Sequence, residues 1–101
     1  MHIHLETADD ITRERVNRLL GYAVNGHRED IADLQLDVAT MCDPLGTELH
    51  RCRLRALLRS GPSIEVEEVQ SGLDLAVTRA LDRCVRNIQR RRHSSTQRHS
   101  A

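Results

Sequence analysis

The chain has no phenylalanine, no tryptophan and no lysine, and Tyr22 is its only aromatic residue in a length of 101. A core without rings must be packed from aliphatic side chains and cysteine. The same shortage limits how the protein would hold RNA. Proteins that grip single strands stack bases on rings, so binding here is expected to run through phosphates, sugars and shape. Without lysine, all fifteen basic residues are arginines. Arginine keeps its charge and presents a planar fork suited to phosphate. Two accounts of that excess stand side by side: phosphate recognition and a GC-rich coding sequence.

Other absences narrow the functional class. Cys42, Cys52 and Cys84 are odd in number and lack CxxC spacing, which argues against a disulfide framework or a zinc knuckle and suits a reducing cytoplasm. Cys52 and Cys84 fall on expected core faces, where a thiol acts as a small apolar group, while Cys42 sits near a turn. No run is apolar and long enough to cross a membrane, and the N-terminus has no signal-peptide pattern. There is no GxSxG elbow, P-loop, HExxH or glycine-rich fingerprint, and the carboxylates are scattered over solvent faces. The chain therefore reads as a cytoplasmic binding protein without a cofactor, rather than an enzyme.

Charge cancels overall, fifteen against fifteen, so the molecule as a whole is no polycation. Its distribution is uneven, acidic before residue 50 and basic from Arg51 onward. Length and composition predict one domain over residues 1–92 and a disordered polar tail over 93–101, which has no apolar period.

Periodicity gives the elements. Residues 1–7 alternate, with Ile3 and Leu5 on one side and His2, His4 and Glu6 on the other, as in a short half-buried strand. A helix follows, with Thr12 as N-cap and Ile11 packing back on Val16. Val16, Leu19, Leu20, Ala23 and Val24 form its buried stripe, and Asn25-Gly26 closes it. Leu34, Leu36 and Val38 alternate with Asp33, Gln35 and Asp37 in a second strand. After the Asp43-Pro44-Leu45-Gly46 turn, a third strand runs from Glu48 to Arg59. It sets Cys52, Leu54, Ala56 and Leu58 against Arg51, Arg53, Arg55 and Arg59. Ser60-Gly61-Pro62 turns the chain into a fourth strand, where Ile64 and Val66 alternate with Glu65 and Glu67. Residues 71–92 form a long helix whose apolar stripe is Leu73, Ala76, Val77, Ala80, Leu81, Cys84, Val85 and Ile88.

The order predicts an α+β fold, β-α-β-β-β-α. Short turns make the last three strands an antiparallel meander, and the first helix is a crossover that leaves the first strand parallel to the second. Both helices have one apolar stripe, so both should cover the same face of a four-stranded sheet.

On the long helix, Arg79, Arg83, Arg86 and Arg90 repeat at helical spacing on a face beside the apolar one, and Arg91 and Arg92 extend them. This pattern suits phosphate contact; it equally suits a solvated face with an Asp82–Arg86 pair. The third-strand arginines lie between strands carrying Asp33, Asp37, Glu65 and Glu67, so cross-strand ion pairs are expected there. His2 and His4 make an H-x-H pair without a third ligand, and no metal is expected.

The opening HIHLETADDIT and the closing IEVEEVQSGLDLAVTRALDRCVRNIQRRR resemble the hibernation-promoting factor and ribosome-associated inhibitor family, also called sigma-54 modulation proteins. The likeness spans about residues 1–92. It implies a fold akin to a double-stranded-RNA-binding domain, and a stress-response factor that binds ribosomal RNA of the small ribosomal subunit. Such a factor silences idle ribosomes by occupying the channel for messenger and transfer RNA. Family correspondence makes Arg79, Arg83, Arg86, Arg90 and Arg91 the preferred ribosomal-RNA contacts, with Arg13, Arg15 and Arg18 of the first helix second. The neutral net charge, the absence of lysine, and the acidic Glu65, Glu67 and Glu68 depart from the family pattern. Long members append a second domain that pairs ribosomes; this chain is expected to be of the short form. The alternative is a protein-interaction module of the same fold that has lost ribosome binding. Its open sheet face would hold a protein partner or the mate of a weak homodimer.

Overall fold

The computed structural model describes residues 2–7 and 10–100, with the side chains of His2, Ile11, Asn25 and 92–100 outside the description. Among the described residues the order is β1 (His2–Glu6), α1 (Asp10–Val24), a 3-10 turn (Asn25–His27), β2 (Ile31–Cys42), β3 (Glu48–Leu58), β4 (Ser63–Gln70) and α2 (Leu73–Ser100). The sheet order is β1-β2-β3-β4. β1 runs parallel to β2, and β2, β3 and β4 form the antiparallel meander. The α+β architecture expected from the sequence is therefore the one adopted.

Register explains the core. Leu34 faces Ala56, Leu36 faces Leu54, and Val38 faces Cys52; on the far side Leu54 faces Val66 and Ala56 faces Ile64. All of these are buried, with Val16, Leu20 and Val24 of α1 and Ala76, Val77, Ala80, Leu81, Cys84 and Ile88 of α2 packed in the same cluster. Side chains two apart share a face of a strand, so one face of the sheet is continuously apolar and the helices lie on it. No polar or charged residue is buried among those described. Leu19, Ala23 and Leu73 pack at the margin of this cluster.

Several element boundaries differ from expectation. α1 starts at Asp10, whose carboxylate in the first turn favours the positive end of the helix dipole. Thr12 is therefore inside the helix rather than its cap, and Ile11's packing lies outside the described side chains. β2 is twelve residues long, and a bulge at its start explains why the simple alternation missed Ile31. Ile31 opposes Leu58 and Asp33 opposes Leu57, with Ala32 as the extra residue between them. That residue lets both Ile31 and Leu34 turn to the core. β3 ends at Leu58, which leaves Arg59 in the turn, its backbone N–H donating to the Asp30 carbonyl at 3.0 Å.

α2 continues through residues 93–100, the stretch whose composition predicts a disordered tail. That stretch contains no proline or glycine to break a helix already under way. The β2–β3 connection is a tight turn. The Asp43 carboxylate accepts from the backbone N–H of Leu45 at 2.9 Å and of Thr47 at 2.8 Å. Gly46 takes a positive φ of 84°, which a residue with a Cβ adopts only with strain.

Candidate nucleic-acid interface

α2 advances about 100° per residue, which places Arg79, Arg83, Arg86 and Arg90 within an arc of about 60°. The row flanks the buried stripe on the side next to β4, because Arg83 reaches that strand. Its Nη1 lies 3.0 Å from Glu68 Oε1 and donates to the Glu67 carbonyl at 3.2 Å. One turn further, Arg86 Nη2 lies 3.1 Å from Asp82 Oδ2, the local pair the spacing suggested. Arg91 sits three residues past Ile88, on the continuation of the apolar stripe rather than on the arginine row. It is exposed there.

The first-helix arginines diverge. Arg13 Nη1 donates to the Leu5 carbonyl of β1 at 3.1 Å. Arg15 grips Asp74 of α2 with both arms of its fork, Nε–Oδ1 at 2.8 Å and Nη2–Oδ2 at 2.9 Å. With Arg15 in the second turn of α1 and Asp74 in the first turn of α2, this pair also ties the two helices together.

The eight arginines singled out from the sequence therefore divide. Arg15, Arg83 and Arg86 are held by carboxylates and Arg13 by a carbonyl, whereas Arg18, Arg79, Arg90 and Arg91 have no hydrogen bond or ion pair among the described residues. An exposed ion pair in water is worth at most about 1 kcal/mol, so the held guanidinium groups are weakened as anion ligands rather than removed.

Electrostatics around Glu68 follow from this geometry. Its carboxyl is held below the usual range by a hydrogen bond from Gln70, then by the bond from Arg83, with the charges of Arg83 and Arg79 adding to the effect. Along the chain, the charge is segregated. Through residue 88 there are eleven arginines against fifteen acids, and beyond it four arginines and no acid. The α2 end therefore carries a positive excess that offsets a negative body.

The open face of the sheet is laced with charge pairs of alternating sign. Arg53 Nε lies 3.7 Å from Glu67 Oε2, and Arg55 Nε lies 3.6 Å from Glu65 Oε1, the cross-strand pairing expected from the meander. His4 Nε2 lies 3.5 Å from Asp33 Oδ1. His2's side chain lies outside the description, and no group of three His, Cys, Asp or Glu residues able to hold a metal occurs among the described residues.

Two of the thiols are sealed in the core. Burial pushes Cys52 up to about 12, with the nearby Asp37 and Glu68 charges adding to the effect, and burial alone pushes Cys84 up to about 11. Cys42 is exposed. No described helix is long and apolar enough to cross a membrane. Tyr22, off the apolar stripe of α1, is exposed; its position four residues after Arg18 was the available sequence signal.

No family model matches the chain, and no curated protein matches it in sequence. Its fold is similar to that of the N-terminal domain of Protein Y from Thermus thermophilus, at 21% identity and a TM-score of 0.61, over 89% of this chain and 98% of that one. It is also similar to a ribosomal subunit interface protein from Coxiella burnetii, at 13% identity and a TM-score of 0.71, over 92% of this chain and 99% of the other.

Proposed function

We propose that this chain is a member of the hibernation-promoting factor family. In this reading it binds ribosomal RNA of the small ribosomal subunit and silences translation by occupying the channel for messenger and transfer RNA. It would act in the cytoplasm, by occupancy and without chemistry. The observation that carries this reading is the end-to-end likeness of the fold to a ribosomal subunit interface protein. The guanidinium groups of Arg79, Arg90, Arg91 and Arg18, without a hydrogen bond or ion pair among the described residues, would supply the physical means, since each phosphate they neutralise releases counterions. Arg83 and Arg86 are held back from phosphate by their carboxylates, and Arg13 and Arg15 contribute least because they hold β1 and α2 in place.

Co-sedimentation with purified small subunits at low salt tests the reading. The wild-type chain is expected to pellet, and the variant Arg18→Gln, Arg79→Gln, Arg90→Gln, Arg91→Gln to stay in the supernatant with an unchanged melting temperature. Pelleting by that variant would remove the site assignment; failure of the wild-type chain to pellet would remove the function.

The second reading, a protein-interaction module that has lost ribosome binding, is favoured by the ion pairs that neutralise the open face at Arg53–Glu67 and Arg55–Glu65. It would gain from a wild-type chain that ignores subunits yet self-associates or captures a protein.

A further inference from the structure

The chain's single aromatic ring takes no part in its core. Tyr22 is 83% exposed, whereas every large, fully buried side chain is aliphatic or a cysteine. Helical geometry accounts for the exposure. Val16, Leu20 and Val24 turn toward the sheet, and Tyr22 falls with Arg15 and Arg18 in an arc of about 60° facing away from it. Arg15 is fixed to Asp74 of α2. Arg18, one turn before Tyr22 and therefore its neighbour on the helix surface, is exposed and has no hydrogen bond or ion pair among the described residues. Beside the ring, Gly21 has no atom within 4 Å of the place a Cβ would take, so the surface there is open.

An exposed ring leaves apolar area in water and contributes little to the fold. A flat ring with a free guanidinium one turn away offers two of the contacts by which proteins hold an unpaired nucleotide: a face for the base and a cation for its phosphate. Residues four apart on a helix have Cβ atoms about 5–6 Å apart, a span that a base and its own phosphate can bridge. α1 and α2 run the same way along the sheet, tied by Arg15 and Asp74, so this position lies on the solvent side of the same helical layer as Arg79.

We propose that Tyr22 and Arg18 form a stacking site for one unpaired nucleobase of RNA, the ring taking the base and the guanidinium a flanking phosphate. The inference rests on the RNA-binding reading. It adds a contact that recognises bases where the remaining arginines recognise only backbone, and it makes the protein prefer exposed loops or strand ends to continuous duplex.

Tyr22 is also the only fluorophore of its kind in the chain, so its emission reports one position. The intact protein is titrated at low salt with a short end-labelled single-stranded RNA, with a duplex of the same sequence, and with an abasic strand of equal length. Anisotropy of the label follows binding while tyrosine emission follows stacking. The single strand is expected to quench emission with the same midpoint as the anisotropy, and the other two probes to bind without quenching. Tyr22→Leu should weaken single-strand binding on the order of five- to 150-fold, the range of one lost base stack, while Tyr22→Phe keeps it. Binding with unchanged emission, equal quenching by the abasic strand, or full affinity in Tyr22→Leu would each overturn the stacking site and leave RNA binding standing. Failure of all three probes to bind would overturn both.

Discussion

Removing two acids should improve RNA binding. Glu68 and Asp82 each hold an arginine of the α2 row, Arg83 at 3.0 Å and Arg86 at 3.1 Å. In Glu68→Gln, Asp82→Asn, both amide replacements keep an acceptor oxygen of the same shape but lose the charge that competes with phosphate. Two guanidinium groups become available, each adding about 0.7–0.9 to the slope of log K against log salt. The slope should therefore steepen by about 1.4–1.8, so that raising salt from roughly 50 to 200 mM costs the variant about seven- to twelvefold more affinity than it costs the parent. At the low-salt end the variant should bind more tightly. The structural cost is small at Asp82, whose exposed pair with Arg86 contributes about 1 kcal/mol or less, and at the largely covered Glu68 the amide keeps the hydrogen-bonding shape. Small-subunit co-sedimentation across a salt series measures the slope, and a thermal melt checks the fold. A folded variant with the parent's slope would show that the α2 row does not meet phosphates, and the argument from that helix would fall.

Other expectations test the fold and its titrations. In the native protein a thiol reagent at neutral pH should modify Cys42 alone, with Cys52 and Cys84 reacting only after denaturant is added. Because those two thiols ionise near about 11–12 when folded and near the ordinary 9.0 when unfolded, the unfolded chain binds fewer protons in that window. Stability should then be intact below about pH 9 and fall as pH rises beyond it, read as a lower urea midpoint at alkaline pH. Glu68 has the opposite sign: its depressed carboxyl contributes stability above the usual carboxylate range that is lost as pH falls through the folded value, and Glu68→Gln should flatten the acid limb of a melting-temperature profile. Leu54→Ala, at the centre of the sheet's covered face, should cost about 2–5 kcal/mol in equilibrium denaturation.

The sheet was legible because its strands alternate cleanly. Leu34-Leu36-Val38, Cys52-Leu54-Ala56-Leu58 and Ile64-Val66 all point inward, and their register then places Arg53 against Glu67 and Arg55 against Glu65. The start of β2 was not legible, because Ala32 breaks the period that would have included Ile31. Helix bounds are less legible: α1 opens at Asp10, two residues before the cap expected at Thr12, and α2 runs past residue 92, where no proline or glycine stands. The arginine row of α2 could be read from spacing, and so could its local pair with Asp82. Its longer-range partners could not. Arg15 meets Asp74 across 59 residues and Arg83 meets Glu68 across 15, contacts that exist only once the helices are laid on the sheet. Sequence spacing locates a charge on a face but carries no information about which charge stands opposite.

The additional residue at Ala32 fixes how far a change in length can travel. Upstream of Ile31, the turn over residues 28–30 can change length without altering which way any later side chain points. Downstream, from Asp33 to Cys42, the pleat keeps strict count. A single codon gained or lost there would turn Leu36 and Val38 outward and drive Asp37 beneath the helices. Evolution can thus edit the short turn before Ile31, but within this strand it can lengthen only in steps of two, or by placing a second kink.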